Sequence, residues 1–320
     1  MPLSALTAAV CRRLWFGICL LLLLPTGALA ESDQSSGEQL NLIDLAHQEI
    51  SYRLTATSQW FDEFFSDPRS EEETAGTLLR LQGSTTLTQG EGLSYDGQIK
   101  ARLNLPNLQR RFHLVLSSEE ENTTIQDSRI NQDLAGNKNN QTLALQYTQQ
   151  RSSTFSLIHR IQLDLDNGLN PQIRSRLRYT LPVAKQSLLS LTQTIFWEYQ
   201  DGFGEESRID FDLPVDENML FRTTGRGLFS ETSQGYEWLV MQQWLISFNE
   251  RQALSLGAFC GGETHPKGRI AEYNLFSKFR QRFIKEWLFI ELHPELYWRH
   301  DDDFRPTAAF TLTLEIQLGD

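Results

Sequence analysis

The sequence predicts an all-β protein: a transmembrane, antiparallel, up-and-down β-barrel of about 14 strands, within a range of about 12 to 16, preceded by a short N-terminal amphipathic helix. Three observations carry that expectation. From Thr77 onward apolar and polar residues alternate with period two. The 243 residues from 76 to 318 divide into about 17 per strand and connection. That spacing exceeds the roughly 8 to 12 residues between turns in a soluble sandwich and suits a membrane strand of about 9 to 11 residues plus a loop. Finally, the aromatic residues sort into two belts at the strand ends. Tyr95, Trp197, Tyr199, Tyr236, Trp238 and Trp298 fall toward one interface, and Phe112, Tyr147, Phe155, Tyr179, Phe248, Phe283 and Trp287 toward the other. A soluble sandwich or lipocalin-like barrel, the competing fold, would bury its aromatics centrally.

Residues 1–30 read as a secretory signal peptide. Arg12 and Arg13 precede the apolar run Leu14 to Leu24, and Pro25, Gly27 and the small-residue ending Ala28-Leu29-Ala30 lead into Glu31. An uncleaved membrane anchor is the alternative, disfavoured by the short run and the cleavage pattern. Removing residues 1–30 leaves 27 basic against 41 acidic residues, a net of −14 in place of −12. Such a balance disfavours a nucleic-acid partner. Of the three cysteines, Cys11 and Cys19 lie in the leader, so the exported chain keeps Cys260 alone and forms no internal disulfide.

Residues 31–74 form a periplasmic linker and helix. Glu31 to Glu38 is Ser-, Gln- and Glu-rich, whereas from Asn41 the residues Ile43, Ala46, Ile50, Leu54, Phe61 and Phe64 recur at helical spacing until Pro68. The last part, Trp60-Phe61-Asp62-Glu63-Phe64-Phe65, joins aromatic and acidic character and is a plug candidate. Resting against the following domain and lying in the membrane interface are the other readings.

Residues 75–320 form the barrel. Leu79, Leu81, Gly83, Thr85 and Leu87 alternate with Arg80, Gln82, Ser84, Thr86 and Thr88. Leu93 to Leu105 repeats the pattern, and further runs start near Leu108, Thr142, Thr154, Gln172, Leu188, Arg208, Leu220, Tyr236, Ala253, Gly268, Trp287 and Thr307. The longest connection, Ser118 to Asn140, falls among the odd-numbered ones, as an outer loop should when both termini are periplasmic.

The last run, Ala308-Ala309-Phe310-Thr311-Leu312-Thr313-Leu314-Glu315-Ile316-Gln317-Leu318, resembles the C-terminal strand of Gram-negative outer-membrane β-barrels, their assembly signal. It departs from that pattern in ending Leu318-Gly319-Asp320 where Phe or Trp is usual. Trp287 to Arg299 and Asp201-Gly202-Phe203-Gly204-Glu205 are similar to segments of an uncharacterised group of such barrels, which has no assigned activity. The resemblance implies the bacterial outer membrane as location. It implies outer-membrane lipid, lipopolysaccharide and the barrel assembly machinery as partners. Porins and hydrophobic-substrate transporters both occur among known barrels of this strand number.

The polar face of each run points into the lumen. Turn-based registers set Glu291 opposite Lys278 or Arg280, and Asp210 or Asp212 opposite Arg222, as structural pairs. Arg174, Arg176 and Arg178 are flanked by Arg160 and Gln162 on one side and Thr192 and Thr194 on the other. Arg80 is set opposite Arg102, with Lys100 and Arg111 nearby. Desolvating these guanidinium groups is costly. Three readings follow: the acids Asp62, Glu63, Asp67 and Glu71 to Glu73 dock onto the basic groups, the basic wall selects anions, or partners lie across the lumen.

Catalytic constellations are weak. His159 faces lipid, but the estimated register sets Ser175 off it, so the pair is not read as nucleophile and base. His300-Asp301-Asp302-Asp303 with His265, and Glu119 to Glu121 with Asp127 and Asp133, read as solvated loops. Glu291, His293 and Glu295 share a face with Lys278 and Arg280 at hand, a thin metal set. No enzyme, cofactor or metal is therefore assigned. The leading expectation is a porin-like channel for small polar, and more narrowly anionic, solutes. The alternatives are a closed, non-conducting scaffold or interaction barrel, and a surface or lipid-facing hydrolase.

Overall fold

Strict alternation gives each strand one apolar and one polar face, and such a strand is stable only where two different surroundings meet. The computed structural model describes residues 56–66, 77–104, 111–118, 141–152, 154–164, 170–183 and 187–319. The leader over residues 1–30, the linker, the helical spacing before residue 56, the acids Asp67 and Glu71 to Glu73, and the loop acids Glu119 to Asp133 lie outside them.

Each alternating run is a strand. In chain order they are β1 (Leu78–Thr88), β2 (Gly92–Asn104), β3 (Phe112–Ser117), β4 (Thr142–Arg151), β5 (Phe155–Asp164), β6 (Asn170–Val183) and β7 (Ser187–Glu198). Then follow β8 (Gly202–Asp216), β9 (Met219–Ser230), β10 (Tyr236–Asn249), β11 (Gln252–Glu263), β12 (Arg269–Arg282), β13 (Leu288–Arg299) and β14 (Pro306–Gly319). Every strand pairs antiparallel with its sequence neighbours, and β1 closes on β14 from Leu78↔Gly319 to Thr88↔Ala309. The result is a closed barrel of fourteen strands among the described residues, with no free edge along which another chain could pair.

Closure fixes the two solvents. Along β1, Leu79, Leu81 and Leu87 are exposed outward while Arg80 and Thr88 are buried inward. Leu93, Ile99 and Leu103 on β2, Leu143 and Leu145 on β4, Leu275 on β12 and Leu312 and Leu314 on β14 continue the exposed apolar exterior. A surface of that extent belongs in hydrocarbon. Aromatic residues edge it at both ends: Tyr95, Trp197 and Tyr236 at one, Tyr179, Phe248, Phe283 and Trp287 at the other.

The connections are short where the backbone can reverse sharply. Gly90 (φ 88°) and Gly92 (φ 93°) take left-handed conformations in the turn from β1 to β2. We call the end at which β1 begins and β14 finishes the terminal end, and the opposite one the loop end.

One segment leaves the wall. Helix α1 (56–64) precedes β1 and ends as Ser66 turns left-handed at φ 58°. A helix this short is marginal alone in water. Its stability comes from what it packs on.

The lipid face offers a direct check of the fold. Leu275→Arg, outward and half-exposed at mid-strand, is expected to destabilise the barrel by about 2–4 kcal/mol, whereas Tyr95→Arg at the rim costs about 0–1 kcal/mol. Urea unfolding of vesicle-inserted protein measures both.

Candidate functional site in the barrel lumen

The lumen is lined by the polar face of the strands, and its terminal end is occupied by α1. Ser58, Phe61, Asp62 and Phe65 recur at helical spacing, so one face of α1 carries both polar and aromatic groups. Phe61 and Phe64 are 1% and 2% exposed. They share an apolar cluster with Leu220 of β9, Leu245 of β10, Ala253 of β11 and Phe289 of β13, with Trp60 and Phe65 packed against it. Trp60 stacks on Phe64 with ring centroids 4.9 Å apart, and Phe64 meets Phe289 edge-on at 6.2 Å. Burying each of these two phenylalanines is worth about 1.5–3 kcal/mol.

A polar node locks the same helix face. Arg222 grips Asp212 of the adjacent strand with two nitrogens, Nε to Oδ1 at 2.6 Å and Nη2 to Oδ2 at 2.8 Å. Its Nη1 donates to Asp62 Oδ1 at 2.5 Å and its Nη2 to Ser58 Oγ at 3.0 Å. Ser58 in turn donates to Asp212 Oδ2 at 2.5 Å. One guanidinium is thus shared between a wall carboxylate and a helix carboxylate, all nearly withdrawn from water. The planar donor fork of arginine makes that arrangement available. Glu63 is exposed and takes no part in the node.

A second contact closes the helix terminus. Arg280 Nη2 donates to Ser66 Oγ at 2.9 Å and to Glu315 Oε1 at 2.7 Å, and Arg280 also reaches Glu291 at 3.2 Å. Arg282 stands over the Phe64 ring at 5.7 Å. The partners of α1 therefore span the arc from β8 to β14.

The remaining sequence-assigned lumenal residues fall into two groups. Lys278 and Arg280 both meet Glu291, and Asp210 accepts from Arg208 and Thr224. The basic residues Arg80, Lys100, Arg102, Arg160, Arg174, Arg176 and Arg178 line β1, β2, β5 and β6, with Arg80, Lys100, Arg102 and Arg160 buried. Arg111 is exposed and precedes β3. Among the described residues the inward carboxylates on that arc are Asp96 and Asp164.

Two register expectations are corrected. Arg80 faces Lys100, and Arg102 faces Leu78. Arg80 also has a carboxylate, Glu315 at 3.2 Å, delivered by the closing strand β14. The expected neighbours of β6 hold, with Arg176 opposite Thr194, Arg178 opposite Thr192 and Arg174 opposite Arg160; Arg174 also stands opposite Phe196. The second correction lies outside the barrel: His159 and Ser175 are directly opposite, with Nδ1 and Oγ 2.9 Å apart. The run read as starting near Gln172 begins two residues earlier, at Asn170, and Pro171 pairs with Leu163. Proline is tolerated near a strand's start, so the register moved.

What sequence reading missed is the apolar part of the lumen. Leu220, Leu245 and Phe289 point inward where a polar residue was expected. Leu239, Met241, Phe259 and Phe276 form a second inward cluster on β10 to β12. The signal was a lapse in alternation: Met219-Leu220-Phe221, Trp244-Leu245-Ile246 and Leu288-Phe289-Ile290 are unbroken apolar triplets at the terminal end. At Gly257 a Cβ would come within 2.4 Å of the Phe276 ring, so the glycine makes room for it. Among the described residues no group of three or more His, Cys, Asp or Glu side chains is placed to hold a metal ion.

No family model matches the chain, and no curated protein does. Solved structures similar to it include a loop-deletion mutant of OmpT, an outer membrane protein of Vibrio cholerae, at 8% identity, covering 77% of this chain and 100% of that one with a TM-score of 0.48. The outer membrane channel DcaP of Acinetobacter baumannii matches at 7% identity, 76% and 96% coverage and a TM-score of 0.42. The KdgM porin in complex with disordered oligogalacturonate matches at 5% identity, 75% and 98% coverage and a TM-score of 0.39. These identities are too low to transfer a substrate or a residue role.

Docking of α1 can be tested without any transport assay. Phe64→Ala removes a buried ring and is expected to cost about 3–5 kcal/mol of helix docking. Limited proteolysis of the refolded protein reads this as new cleavage within residues 56–66, with the barrel itself intact.

Proposed function

We propose that the protein is an outer-membrane channel for small polar solutes, favouring anions, with α1 set in its periplasmic mouth. The observation that carries this is the division of charge around the inner wall. The arc from β1 to β6 is basic, through Arg80, Lys100, Arg102, Arg160, Arg174, Arg176 and Arg178. The arc from β7 to β14 carries Glu198, Glu206, Asp210, Asp212, Glu272, Glu291, Glu295 and Glu315 among its inward groups, interleaved with arginines. A basic arc facing a mixed-charge one in a low-dielectric wall sets up a transverse field that orients a polar solute and favours anions along the basic side.

Docking of α1 fits the same reading. The contacts described above are with β8 to β14, the mixed-charge arc, and the helix narrows the mouth on that side. Export through a cleaved leader over residues 1–30, insertion by the barrel assembly machinery, and an exterior in contact with lipid and lipopolysaccharide belong to this proposal. A closed scaffold is the second reading, favoured by the burial of inward residues such as Arg102 and Gln146, at 1% and 0% exposed.

Planar-bilayer recording of the refolded chain from Glu31 onward decides between them. The expected result is a steady current with a reversal potential of anion-selective sign under a salt gradient. Arg174→Glu with Arg176→Glu is expected to move that potential toward the cation side, and Phe61→Ala with Phe64→Ala to raise the conductance. Silence of the wild type and of the helix-released variant would establish the closed barrel instead.

A further inference from the structure

We propose that the lipid-facing wall of β4, β5 and β6 carries a serine hydrolase site for acyl esters of membrane lipids, with Ser175 as nucleophile, His159 as base and Gln149 as the residue that positions the base. This is independent of the channel reading, since all three side chains point outward.

The site rests on register. Tyr147 stands opposite His159, and His159 opposite Ser175, so three adjacent strands present their outward side chains in one row. A bulge in β4 between Thr148 and Gln150 leaves Gln149 as the extra residue. Bulges re-aim side chains. Here Gln149 Oε1 comes within 2.9 Å of His159 Nε2 while Ser175 Oγ lies 2.9 Å from Nδ1. Tyr147 stacks on the imidazole with an interplanar angle of 15°. Around the row Leu145, Ile161, Ile173, Leu177 and Ile195 are exposed outward, and beyond Leu177 lies the hydrogen-bonded pair Gln193 and Ser207.

Hydrogen-bond logic assigns the roles. An amide oxygen only accepts, so the proton of a neutral imidazole sits on Nε2, facing Gln149. Nδ1 then carries the lone pair, and the hydroxyl of Ser175 donates to it. Nucleophile, base and orienting acceptor thus form one chain of hydrogen bonds, the arrangement that defines a catalytic triad by geometry rather than by sequence order. Polar groups in a lipid-facing wall are costly unless bonded, and three placed together call for a reason.

Location selects the substrate class. Ser175 faces lipid in one row with His159 and Tyr147, a residue of the aromatic belt at one interface, and the electrophiles at that level are the carbonyl carbons of lipid acyl esters. Ser175 Oγ would attack that carbon as its proton passes to Nδ1 of His159. Collapse of the tetrahedral species breaks the bond to the alcohol oxygen, which leaves with the proton from Nδ1. Water, deprotonated by the same nitrogen, then attacks the acyl-serine. Oγ departs with that proton, releasing a fatty acid beside the lysolipid. The strand amides around Ser175 are engaged in the ladder, so side-chain donors must stabilise the oxyanion and the rate should be low.

A lipophilic fluorophosphonate probe, applied to the full-length refolded protein in phosphatidylglycerol vesicles, tests the site even where turnover is slow. Fatty-acid release is followed in the same vesicles. The expected result is covalent labelling mapped to Ser175, with measurable release. Ser175→Ala should abolish both, and His159→Ala should slow labelling by about 100-fold or more. Gln149→Ala should lower labelling while Gln149→Glu, which keeps the acceptor, retains it. Heat-modifiable gel migration verifies that each variant is a folded barrel. A folded wild type that stays unlabelled overturns the proposal, as does labelling that His159→Ala leaves unchanged. Labelling without fatty-acid release overturns it too, because the serine would then have no lipid substrate.

Discussion

Every backbone amide and carbonyl inside a bilayer must find its partner within the protein, and for this chain the demand is met by closing β14 onto β1. Eleven consecutive partner pairs, Leu78↔Gly319 to Thr88↔Ala309, make that seam as continuous as the hairpins elsewhere. Once the cylinder is closed, each strand residue has one of two surroundings, lipid or lumen. A one-residue slip would exchange them all. The seam also decides chemistry, since it is β14 that brings Glu315 to Arg80 and Arg280.

Fourteen strands enclose more space than their own side chains fill, which is why the interior holds more than alternation alone dictates. On the β8 to β14 side the filling is mixed: an apolar cluster around Phe61 and Phe64, and a charged node in which Arg222 is shared by Asp62 and Asp212. The two act differently. Aromatic burial supplies non-directional attraction, whereas the bidentate grip on Asp212 leaves a single direction open for Asp62, and this fixes the rotation of the helix. A buried charge node is weak evidence for stability and better evidence for a specified arrangement.

The architecture was legible in the sequence because it depends on period, and period survives errors of a residue or two. All fourteen runs correspond to strands, although β8 begins at Gly202, well before Arg208. Pairings such as Arg280↔Glu291 and Asp212↔Arg222 were legible because their hairpins turn tightly. Elsewhere registers slipped by two residues or fewer, even across the short β1–β2 turn: Arg80, read opposite Arg102, faces Lys100, and Ser175, read off His159, faces it. The partners that no hairpin register contains were unreadable in principle. Glu315 reaches Arg80 through closure, and Asp62 reaches Arg222 from a helix 160 residues earlier. Yet apolar triplets such as Trp244-Leu245-Ile246 did mark where the wall would receive a helix.

The same two-solvent rule makes exceptions informative. An inward leucine or phenylalanine violates it, and at Leu220, Leu245 and Phe289 the violation is resolved by α1, whose aromatic face supplies the missing apolar surroundings. An outward histidine, serine and glutamine violate it in the other direction. Nothing among the described residues covers that patch of β4 to β6, so His159, Ser175 and Gln149 satisfy one another instead. Local rules fail most often at functional sites, and the inner violation has a structural resolution that the outer one lacks. The proposed lipid chemistry rests on the direction of those hydrogen bonds, which run from Ser175 through His159 to Gln149.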